Sequence, residues 1–307
     1  MSNILAVIAE YNPFHNGHLY QFQKAKKDTD SKYSIAILGG NFTQRGSTSV
    51  VDKWSKAQMA LDNGFDLVVE LPLLYSISSA ENFAEGSIKL LDSMKVVDFL
   101  SFGTETDDLQ ILDKIATILY EEPKAFKSLL SIELKKGISF PKARSNALMM
   151  YLKDIQKYTN ILSSPNNILA IEYLKALKKY KSIIKPYSIQ RFESEYNSNK
   201  ISGNIASSTA IRNIIKDDNI PLLKKLLPES SFSILFENIK NGHIVSDLSV
   251  FEKEIIYNLR KMDINEIKDL PDVSEGLEHL IKKAADSCNT LNDLLNMIST
   301  KRYTKTR

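Results

Sequence analysis

Two of the four histidines in this 307-residue chain, His15 and His18, stand three residues apart with Gly17 between them. A glycine lets the backbone approach a ligand closely, and a helix start offers unpaired N–H groups and the positive end of a dipole. Imidazoles beside such donors can hold phosphate oxygens and stabilise charge on a leaving pyrophosphate. The spacing therefore indicates a phosphate-handling site with His15 and His18 as its catalytic residues. The rival interpretations are solvated loop histidines and a metal pair, the latter weak because no Cys or further His nearby would complete a coordination shell.

Residues 207–212, Ser-Ser-Thr-Ala-Ile-Arg, are a second candidate for phosphate binding. A serine before a helix provides hydroxyl and N–H donors, and Arg212, one turn into the helix, adds a charge-assisted contact to phosphate. Alone, this hexapeptide could be an ordinary capped helix. Together with the histidine pair it predicts a site assembled from two distant parts of the chain.

The elements that must position these residues alternate regularly. Apolar runs predict buried strands at 4–9, 33–38, 66–70 and 96–102. The segments between them predict helices at about 17–27, 52–63 and 79–94. This alternation predicts an α/β fold, a Rossmann-like doubly wound parallel sheet, whose ligands lie beyond the carboxyl ends of the strands.

The remainder of the chain is mostly helical in pattern. Residues 107–160 are helical and polar, typical of an insertion, and a helix over 167–179 precedes a further strand at 182–189. Residues 193–204, rich in Ser, Asn and Gly, have the composition of a mobile loop. From Thr209 onward the pattern predicts helices with short breaks.

Composition places the chain among ordinary globular proteins, with 43% hydrophobic and 25% charged residues. A lone cysteine, Cys288, excludes an intrachain disulfide and favours a cytoplasmic location, and we expect a packed or exposed thiol rather than a catalytic one. No apolar run approaches the roughly 18 residues of a membrane span. The net charge of +3 is too mild to indicate nucleic-acid binding by itself, and is compatible with it.

Residues 11–18 resemble the His-x-Gly-His motif of the nucleotidyltransferase superfamily, whose members attack the α-phosphate of ATP and expel pyrophosphate. Residues 207–212 resemble the second superfamily signature, Ser-Ser-Thr-x-Ile-Arg. More specifically, five blocks are similar, in the same order, to those of the bacterial tRNA(Met) cytidine acetate ligase family. The blocks are residues 10–18, 40–46, 70–72, 101–105 and 164–169.

The resemblance implies that ATP and acetate give acetyl-adenylate and pyrophosphate, with Mg²⁺ expected to accompany ATP. It implies that the acetyl group then passes to the exocyclic amine of the wobble cytidine in elongator tRNA(Met). The expected organisation is a nucleotidyltransferase-like, ATP-binding catalytic domain at 1–217, with a helical insertion at about 107–160, and a helical C-terminal region at 218–307.

Carried over to this sequence, the resemblance implies an ATP pocket around the catalytic His15 and His18. Its main stretch is expected to comprise Ile8, Ala9, Glu10, Tyr11, Asn12, Pro13, Phe14, Asn16, Gly17, Leu19, Tyr20 and Gln21. Later segments are expected to add Gly103, Asn166, Asn167, Arg191, Ser208, Thr209 and Arg212. The asparagine pair could bond adenine or ribose, although a helix that simply starts there explains it as well.

Transfer to a cytidine requires cations along the path of the tRNA. Arg45, Lys53 and Lys56 stand beside the proposed cleft, and the tail at 301–307 combines charge with an aromatic ring that could stack on a base. Each of these could equally be a solvated charge. Asp52 and Glu70 could bind magnesium, but helix capping explains Asp52 equally well, so the site is predicted without a protein metal ligand.

Two other functions remain open on the sequence alone. One is a small-molecule adenylyltransferase of the pantetheine-phosphate or nicotinate-mononucleotide type. Those enzymes are compact single domains, so the helical C-terminal third of this chain favours a macromolecular substrate instead. The other is a non-catalytic nucleotide- or RNA-binding relative, which the intact His15, His18 and Arg212 oppose. Members of the acetate ligase family usually continue beyond the point where this chain stops, so either a short member or a fragment is expected.

Overall fold

The computed structural model describes residues 2–191, 203–245, 247–300, 303 and 305. Its centre is a sheet of five strands in the order β3-β2-β1-β4-β5, and every neighbouring pair is parallel. The strands are β1 (Asn3–Ala9), β2 (Ser31–Leu38), β3 (Leu67–Glu70), β4 (Phe99–Thr104) and β5 (Lys185–Gln190). The predicted doubly wound parallel sheet is therefore confirmed.

Helices make up most of the rest of the described chain. Those up to β5 are α1 (Asn16–Asp28), α2 (Lys53–Asp62), α3 (Leu73–Ser76), α4 (Ala80–Met94), α5 (Leu109–Glu121), α6 (Lys124–Leu134), α7 (Phe140–Leu152), α8 (Ile155–Ser163) and α9 (Pro165–Lys179). Those after it are α10 (Ser208–Lys216), α11 (Ile220–Leu226), α12 (Glu229–Lys240), α13 (Glu252–Lys261), α14 (Ile264–Lys268), α15 (Leu277–Ser287) and α16 (Leu291–Ile298). None of these described helices has both the length and the apolar character needed to cross a membrane.

The continuous apolar run of β1 follows from burial on both faces of the sheet. Ala6 and Ile8 face a layer that includes α4, α5 and α9. Leu5 and Val7 face the opposite layer, built from α1, α2 and α10 to α12. Because side chains alternate along a strand, one short segment contributes to both hydrophobic cores.

Two strand boundaries differ from those predicted. β4 begins at Phe99 rather than at residue 96, because α4 ends at a left-handed Lys95 (φ +56°) and Val96 lies exposed in the turn that follows. β5 begins at Lys185 rather than at residue 182. In both cases the apolar run starts before the chain reaches the neighbouring strand. A strand requires hydrogen bonds to a neighbour as well as an apolar sequence.

The segment at 107–160 is helical as predicted, but its polar character is wrong for α5. Leu112, Ile115 and Ala116 of that helix are fully buried, and they pack with the core that α9 shares. The polar residues of α5 lie on its outer face, so the average composition concealed a strongly amphipathic helix. Most of the predicted mobile loop at 193–204 lies outside the described residues.

A separate small hydrophobic cluster joins α13, α15 and α16. Cys288 is buried within it as a free thiol, so of the packed and exposed alternatives the structure shows the packed one. The C-terminal helices are therefore of two kinds: α11 and α12 pack against the core of the sheet, while α13, α15 and α16 share a cluster of their own.

Candidate active site

A cleft of about 450 Å³ opens where the carboxyl ends of β1 and β4 meet the segments that follow β2 and β5. Four helices also place residues of their first turn on its wall, namely α1, α4, α9 and α10. The predicted site residues that line it are Ile8, Ala9, Glu10, Tyr11, Asn12, His18, Gln21, Gly103, Asn166, Arg191, Ser208, Thr209 and Arg212. The structure therefore brings together segments that are up to 200 residues apart in the chain.

The two histidines are stacked at the start of α1, with ring centroids 3.6 Å apart. His15 is the N-cap, and its Nδ1 accepts from the main-chain N–H of Gly17 at 3.1 Å. His18 Nδ1 accepts from the main-chain N–H of His15 at 3.4 Å. Because both Nδ1 atoms accept, each neutral ring carries its proton on Nε2, which makes Nε2 a hydrogen-bond donor in both.

The Nε2 atoms of these rings face different partners. His15 Nε2 lies 3.1 Å from Oγ of Ser208, so it donates to that hydroxyl and leaves the hydroxyl proton of Ser208 to be directed at a ligand. His15 is almost fully buried and lines a smaller adjoining cavity of about 40 Å³. His18 lines the main cleft itself. The two histidines are therefore equipped for different roles.

Both imidazoles are neutral at physiological pH. Burial, followed by the charges of Arg191 and Arg212, lowers the pKa of His15 to about 3. Burial, followed by His15 and Arg191, lowers the pKa of His18 well below its usual 6.5. Neutral N–H donors stabilise developing negative charge without being titrated, while the two arginines supply the permanent positive charge.

Gly17 leaves the space that the packed histidine pair occupies, so a side chain at this position would be tightly confined. A Cβ at this position would lie 3.0 Å from Cε1 and 3.1 Å from Nδ1 of His15. Phe14 is fully buried and supports His18 from beneath, with ring centroids 5.8 Å apart. The buried ring of Tyr11 contacts both Phe14, at 4.6 Å between centroids, and His18, at 4.8 Å.

The start of α10 completes the phosphate-binding side of the cleft. Ser207 caps the helix, its Oγ accepting from the N–H of Ala210 at 3.1 Å. Arg212 donates from Nη1 to the carbonyl of Asn12 at 3.0 Å and from Nη2 to Oγ1 of Thr209 at 3.0 Å. The guanidinium thus joins the two predicted motifs directly and is held beside the first turn of α10.

The opposite side of the cleft is formed by the loop after β2. Phe42 and Thr48 form an antiparallel bridge, and Gly46, at φ +75°, donates its N–H to the carbonyl of Thr43 at 2.9 Å. We call residues 42–48 the β2 hairpin. Its residues Thr43, Gln44, Arg45 and Ser47 line the cleft. From this block the sequence predicted only Arg45, as a cation on the path of the tRNA. The turn-rich segment at the carboxyl end of a strand was the signal for the other lining residues.

Comparisons with known proteins agree with this geometry. Residues 2–307 match the family model described as HIGH Nucleotidyl Transferase. A tRNA(Met) cytidine acetate ligase from Caldanaerobacter subterraneus subsp. tengcongensis is 46% identical over 303 residues, which cover 99% of this chain and 75% of the relative. That from Acetivibrio thermocellus is 44% identical over 308 residues, covering 99% and 74%. The chain belongs to the tRNA(Met) cytidine acetate ligase family.

Solved structures give the same result for the family's fold. A crystal structure of apo Thermotoga maritima TmcAL superposes with a TM-score of 0.93 at 36% identity, covering 99% of this chain and 73% of that one. The same protein bound with alpha-thio ATP gives a TM-score of 0.91 at 35% identity, covering 99% and 72%. The family resemblance and the nucleotidyltransferase-type fold predicted from the motifs are therefore both confirmed.

Several residues that the family resemblance implied do not line the main cleft. Gly17 and Tyr20, with His15, line the adjoining small cavity. Pro13, Phe14, Asn16, Leu19 and Asn167 line neither cavity. Asn16 instead donates through Nδ2 to the carbonyls of Asn204, at 2.9 Å, and Lys225, at 3.0 Å, and so attaches the start of α1 to the segments around α10 and α11.

The asparagine pair at the start of α9 is organised by Glu105. One carboxylate oxygen of Glu105 accepts from the N–H and Nδ2 of Asn166, at 3.1 and 2.7 Å, and the other accepts from the N–H of Asn167 at 2.8 Å. In return, Oδ1 of Asn167 accepts from the N–H groups of Glu105, at 2.9 Å, and Thr106, at 3.2 Å. Glu105 was not predicted as a site residue, yet it determines where Asn166 stands in the cleft.

The expected RNA-facing cations are placed differently from one another. Lys56 is buried, and its Nζ donates to the carbonyls of Gly39, Gly40 and Glu10 at 2.7, 2.6 and 3.2 Å. Burial lowers the pKa of Lys56 to about 8. The interpretation of Lys56 as an RNA contact is therefore wrong, because its ammonium group points into the protein to bind main-chain carbonyls.

Two other charged residues of this region, Lys53 and Asp52, have structural partners. Lys53 forms an ion pair with Glu70 at 2.7 Å. Asp52 caps α2 by accepting from the N–H of Ser55 at 2.7 Å, as helix capping predicted. Within the described part of the C-terminal tail, the hydroxyl of Tyr303 donates to the carbonyl of Ser274 at 3.0 Å.

Among the residues that the structure describes, no group of three or more His, Cys, Asp or Glu side chains could hold a metal ion. The carboxylate of Glu10 lines the cleft, but its Oε1 already accepts from the N–H of Gln44 at 2.6 Å. The described walls thus present arginines, hydroxyls and N–H groups, a set that matches anionic oxygens rather than a divalent cation.

Proposed function

We propose that this chain is an ATP-dependent acetate ligase that forms acetyl-adenylate and transfers its acetyl group to elongator tRNA(Met), at the exocyclic amine of the wobble cytidine. The observation that carries the proposal is the junction of the two phosphate-binding motifs, where His15 Nε2 lies 3.1 Å from Ser208 Oγ and Arg212 binds the carbonyl of Asn12. Family membership supplies the acceptors, because the relatives are named for acetate and for tRNA(Met).

The first step is attack by a carboxylate oxygen of acetate on the α-phosphorus of ATP. The bond from that phosphorus to the oxygen bridging to the β-phosphate breaks, and pyrophosphate leaves with the electron pair. His18, Ser208, Thr209 and Arg212 all line the cleft, and we assign the Nε2–H of His18, the two hydroxyls and the guanidinium to the stabilisation of this negative charge. Their fixed positions mean that little reorganisation is required during the step.

We assign the adenosine to the part of the cleft built around the ends of β4 and β5. Gly103 forms its floor, since a Cβ there would lie 3.2 Å from Cγ of Arg191 and 3.6 Å from Oε1 of Gln21. The edge of β1 from Ile8 to Asn12 and the amide of Asn166 border the same space. Some predicted residues do not line the cleft, and we assign them the role of positioning the residues that do. Gly17 and Tyr20 act in this way from the adjoining cavity. The others lie behind the cleft wall: Pro13, Phe14, Asn16, Leu19 and Asn167.

The second step is attack by the cytidine amine on the acetyl carbonyl carbon. The carbon–oxygen bond to the phosphate breaks, AMP leaves, and the amine loses a proton. Functionally we retain the division into a catalytic domain at 1–217, with its helical insertion at about 107–160, and a helical region at 218–307 that contributes to holding the tRNA. This division concerns function rather than packing, since α11 and α12 share the core of the sheet.

Magnesium is expected to enter with the nucleotide. Mg²⁺ prefers phosphate oxygens and water to a cage of protein ligands, and this suits a cleft whose described residues include no acidic cluster. The metal would neutralise charge on the triphosphate, while the arginines and the two histidines orient it.

The function is tested by supplying the protein with ATP, labelled acetate and total tRNA and then locating the label. Label on the wobble cytidine of elongator tRNA(Met) is the expected result. Label confined to acetyl-adenylate would mean that this chain lacks the RNA step. Pyrophosphate release that needs phosphopantetheine or nicotinate mononucleotide, and not acetate, would replace the proposal with a small-molecule adenylyltransferase.

A further inference from the structure

The position of acetate follows from the geometry of phosphoryl transfer, provided that the proposed function holds. The attacking and leaving oxygens lie roughly in line on opposite sides of the α-phosphorus. The groups that we assign to pyrophosphate belong to α10, which comes after β5, and to the start of α1. The attacking carboxylate must therefore approach from the other side of β1. In this sheet that is the side of β2.

The β2 hairpin presents Arg45 to this side of the cleft on a rigid support. Gln44 ties the hairpin to β1 through its N–H, which donates to Oε1 of Glu10 at 2.6 Å. The same residue ties it to the segment before α4 through Nε2, which donates to the carbonyl of Ser78 at 2.6 Å. At its base, the hydroxyls of Thr43 and Ser47 are hydrogen-bonded at 2.7 Å.

The wall near the hairpin is apolar and equally well fixed. It is formed by Ala80 and Phe83 in the first turn of α4. Phe83 belongs to the hydrophobic core and is 3% exposed. Two ion pairs clamp α4 to α9, from Lys175 to Glu81 at 2.7 Å and from Lys179 to Glu85 at 2.6 Å.

We propose that Arg45 binds the carboxylate of acetate and that Ala80 and Phe83 enclose its methyl group. Of the three arginines among the described lining residues, Arg191 follows β5 and Arg212 lies in α10, whereas Arg45 belongs to the β2 hairpin. A guanidinium presents a planar pair of N–H donors that matches a carboxylate. A fixed apolar wall then limits the length of the acid, and a single methylene against such a wall changes selectivity by about 10–200-fold.

The test is acetate-dependent exchange of labelled pyrophosphate into ATP by the whole chain, measured without tRNA. Arg45→Gln is expected to raise KM for acetate by about 10-fold or more, since a hydrogen bond to a charged group is lost, and to leave KM for ATP unchanged. Arg45→Lys keeps the positive charge but loses the planar pair of N–H donors, so it should raise KM for acetate by less than Arg45→Gln does. Lys53→Gln removes a neighbouring exposed charge and should leave both constants as they are.

A second pair of variants tests the methyl pocket. Ala80→Gly makes room for one more carbon, so the ratio of propionate to acetate activity should rise by about 10-fold. Ala80→Val should raise KM for acetate without changing KM for ATP. Unchanged selectivity in both variants would show that α4 does not form the wall around the methyl group.

The outcomes separate this subsite from the function on which it rests. No acetate-dependent exchange by the unaltered protein would overturn the proposed function itself. Exchange with an unchanged KM for acetate in Arg45→Gln would overturn only the subsite. If that variant also lost acetyl transfer to tRNA, Arg45 would be a contact to RNA. Equal rises in both KM values would likewise contradict a site specific for the acid.

Discussion

The histidine pair shows how two identical side chains in one motif acquire different roles. His18 lines the cleft, whereas His15 is buried and its Nε2 lies 3.1 Å from Oγ of Ser208, a residue that lines the cleft. The motif predicts both histidines as catalytic, and we propose that His15 acts through the hydroxyl of Ser208. The hydrogen bonds to their Nδ1 atoms explain why both rings present an Nε2–H.

If His15 acts through Ser208, the effects of removing them should not add. We expect His15→Ala and Ser208→Ala each to lower kcat of acetate-dependent pyrophosphate exchange by about 10²–10³, the typical effect of losing one such donor. The kcat of the double variant should be no lower than that of the less active single variant. A double-mutant cycle of kcat values measures this non-additivity. His243→Ala, at an exposed position, is the control. Additive losses would mean that His15 contacts the ligand independently.

The lowered pKa values of the histidines also predict how stability changes with pH. An unfolded chain takes up protons on both imidazoles as the pH falls through about 6.5, while folded His15 does so only near pH 3 and folded His18 only well below 6.5. The contribution of these two histidines to the free energy of unfolding should thus be level above pH 6.5 and decrease below it, by up to roughly 1.4 kcal/mol per pH unit for each histidine.

Urea denaturation at pH values from 5 to 7 measures this dependence. Carboxylates with lowered pKa values, such as that of Glu85, contribute below this window, because unfolded carboxylates are protonated only near pH 4. The double variant His15→Gln, His18→Gln should flatten the curve between pH 5 and 6.5. A curve as steep as that of the unaltered protein would assign the effect to other groups.

Among the secondary-structure elements, α2 has an unexpected function in holding the sheet edge. It places Lys56 beneath the carboxyl ends of β1 and β2, where the ammonium group binds carbonyls of Glu10, Gly39 and Gly40. Strand ends that diverge to form a ligand site leave main-chain carbonyls without sheet partners. One buried cation satisfies three of them and so fixes the segments on which Glu10 and the β2 hairpin depend.

Lys56→Met should lower the free energy of unfolding by about 2–4 kcal/mol, since it leaves buried carbonyls without a donor. Lys53→Met, one turn earlier on α2, removes an exposed ion pair and should change stability by less than about 1 kcal/mol. Denaturant midpoints of the two variants, measured side by side, provide the comparison. Equal effects would show that the buried contacts of Lys56 contribute little.

On the scale of the whole molecule, the two proposed steps should respond differently to salt. The cleft is built from closely packed elements, whereas the chain as a whole carries a net charge of only +3. Binding of tRNA depends on phosphate contacts that release counterions, and acetate activation does not. The distinction provides a test that needs no substitution.

Raising KCl from 50 to 200 mM should lower acetyl transfer at subsaturating tRNA about 10-fold, as expected for about two phosphate contacts. Acetate-dependent pyrophosphate exchange should change less than about twofold over the same range, because its charged partners lie inside the cleft. Both rates are measured on one preparation. A parallel decline of the two would mean that salt acts on the fold or on ATP binding instead.

A large part of this protein could be predicted from its sequence. Burial on both faces makes β1 a continuous apolar run, and helix periodicity marks the segments between strands, so the parallel sheet was predicted. Local spacing around His15 and His18 and in residues 207–212 indicated both phosphate-binding motifs, and the ordered blocks indicated the family. Each strand, motif and block in this set is a short local segment of the chain, and the order of the segments is read directly from the sequence.

Only the tertiary structure decided what individual side chains do at the site. The bond between His15 and Ser208 spans 193 positions, that between Arg212 and Asn12 spans 200, and Lys56 meets Glu10 across 46. Such contacts depend on the order of the strands and on how far each loop reaches, which local periodicity does not encode. For the same reason the sequence placed Lys56 at the surface and gave Glu105 no role, since a charge turned inward has the same local pattern as a solvated one.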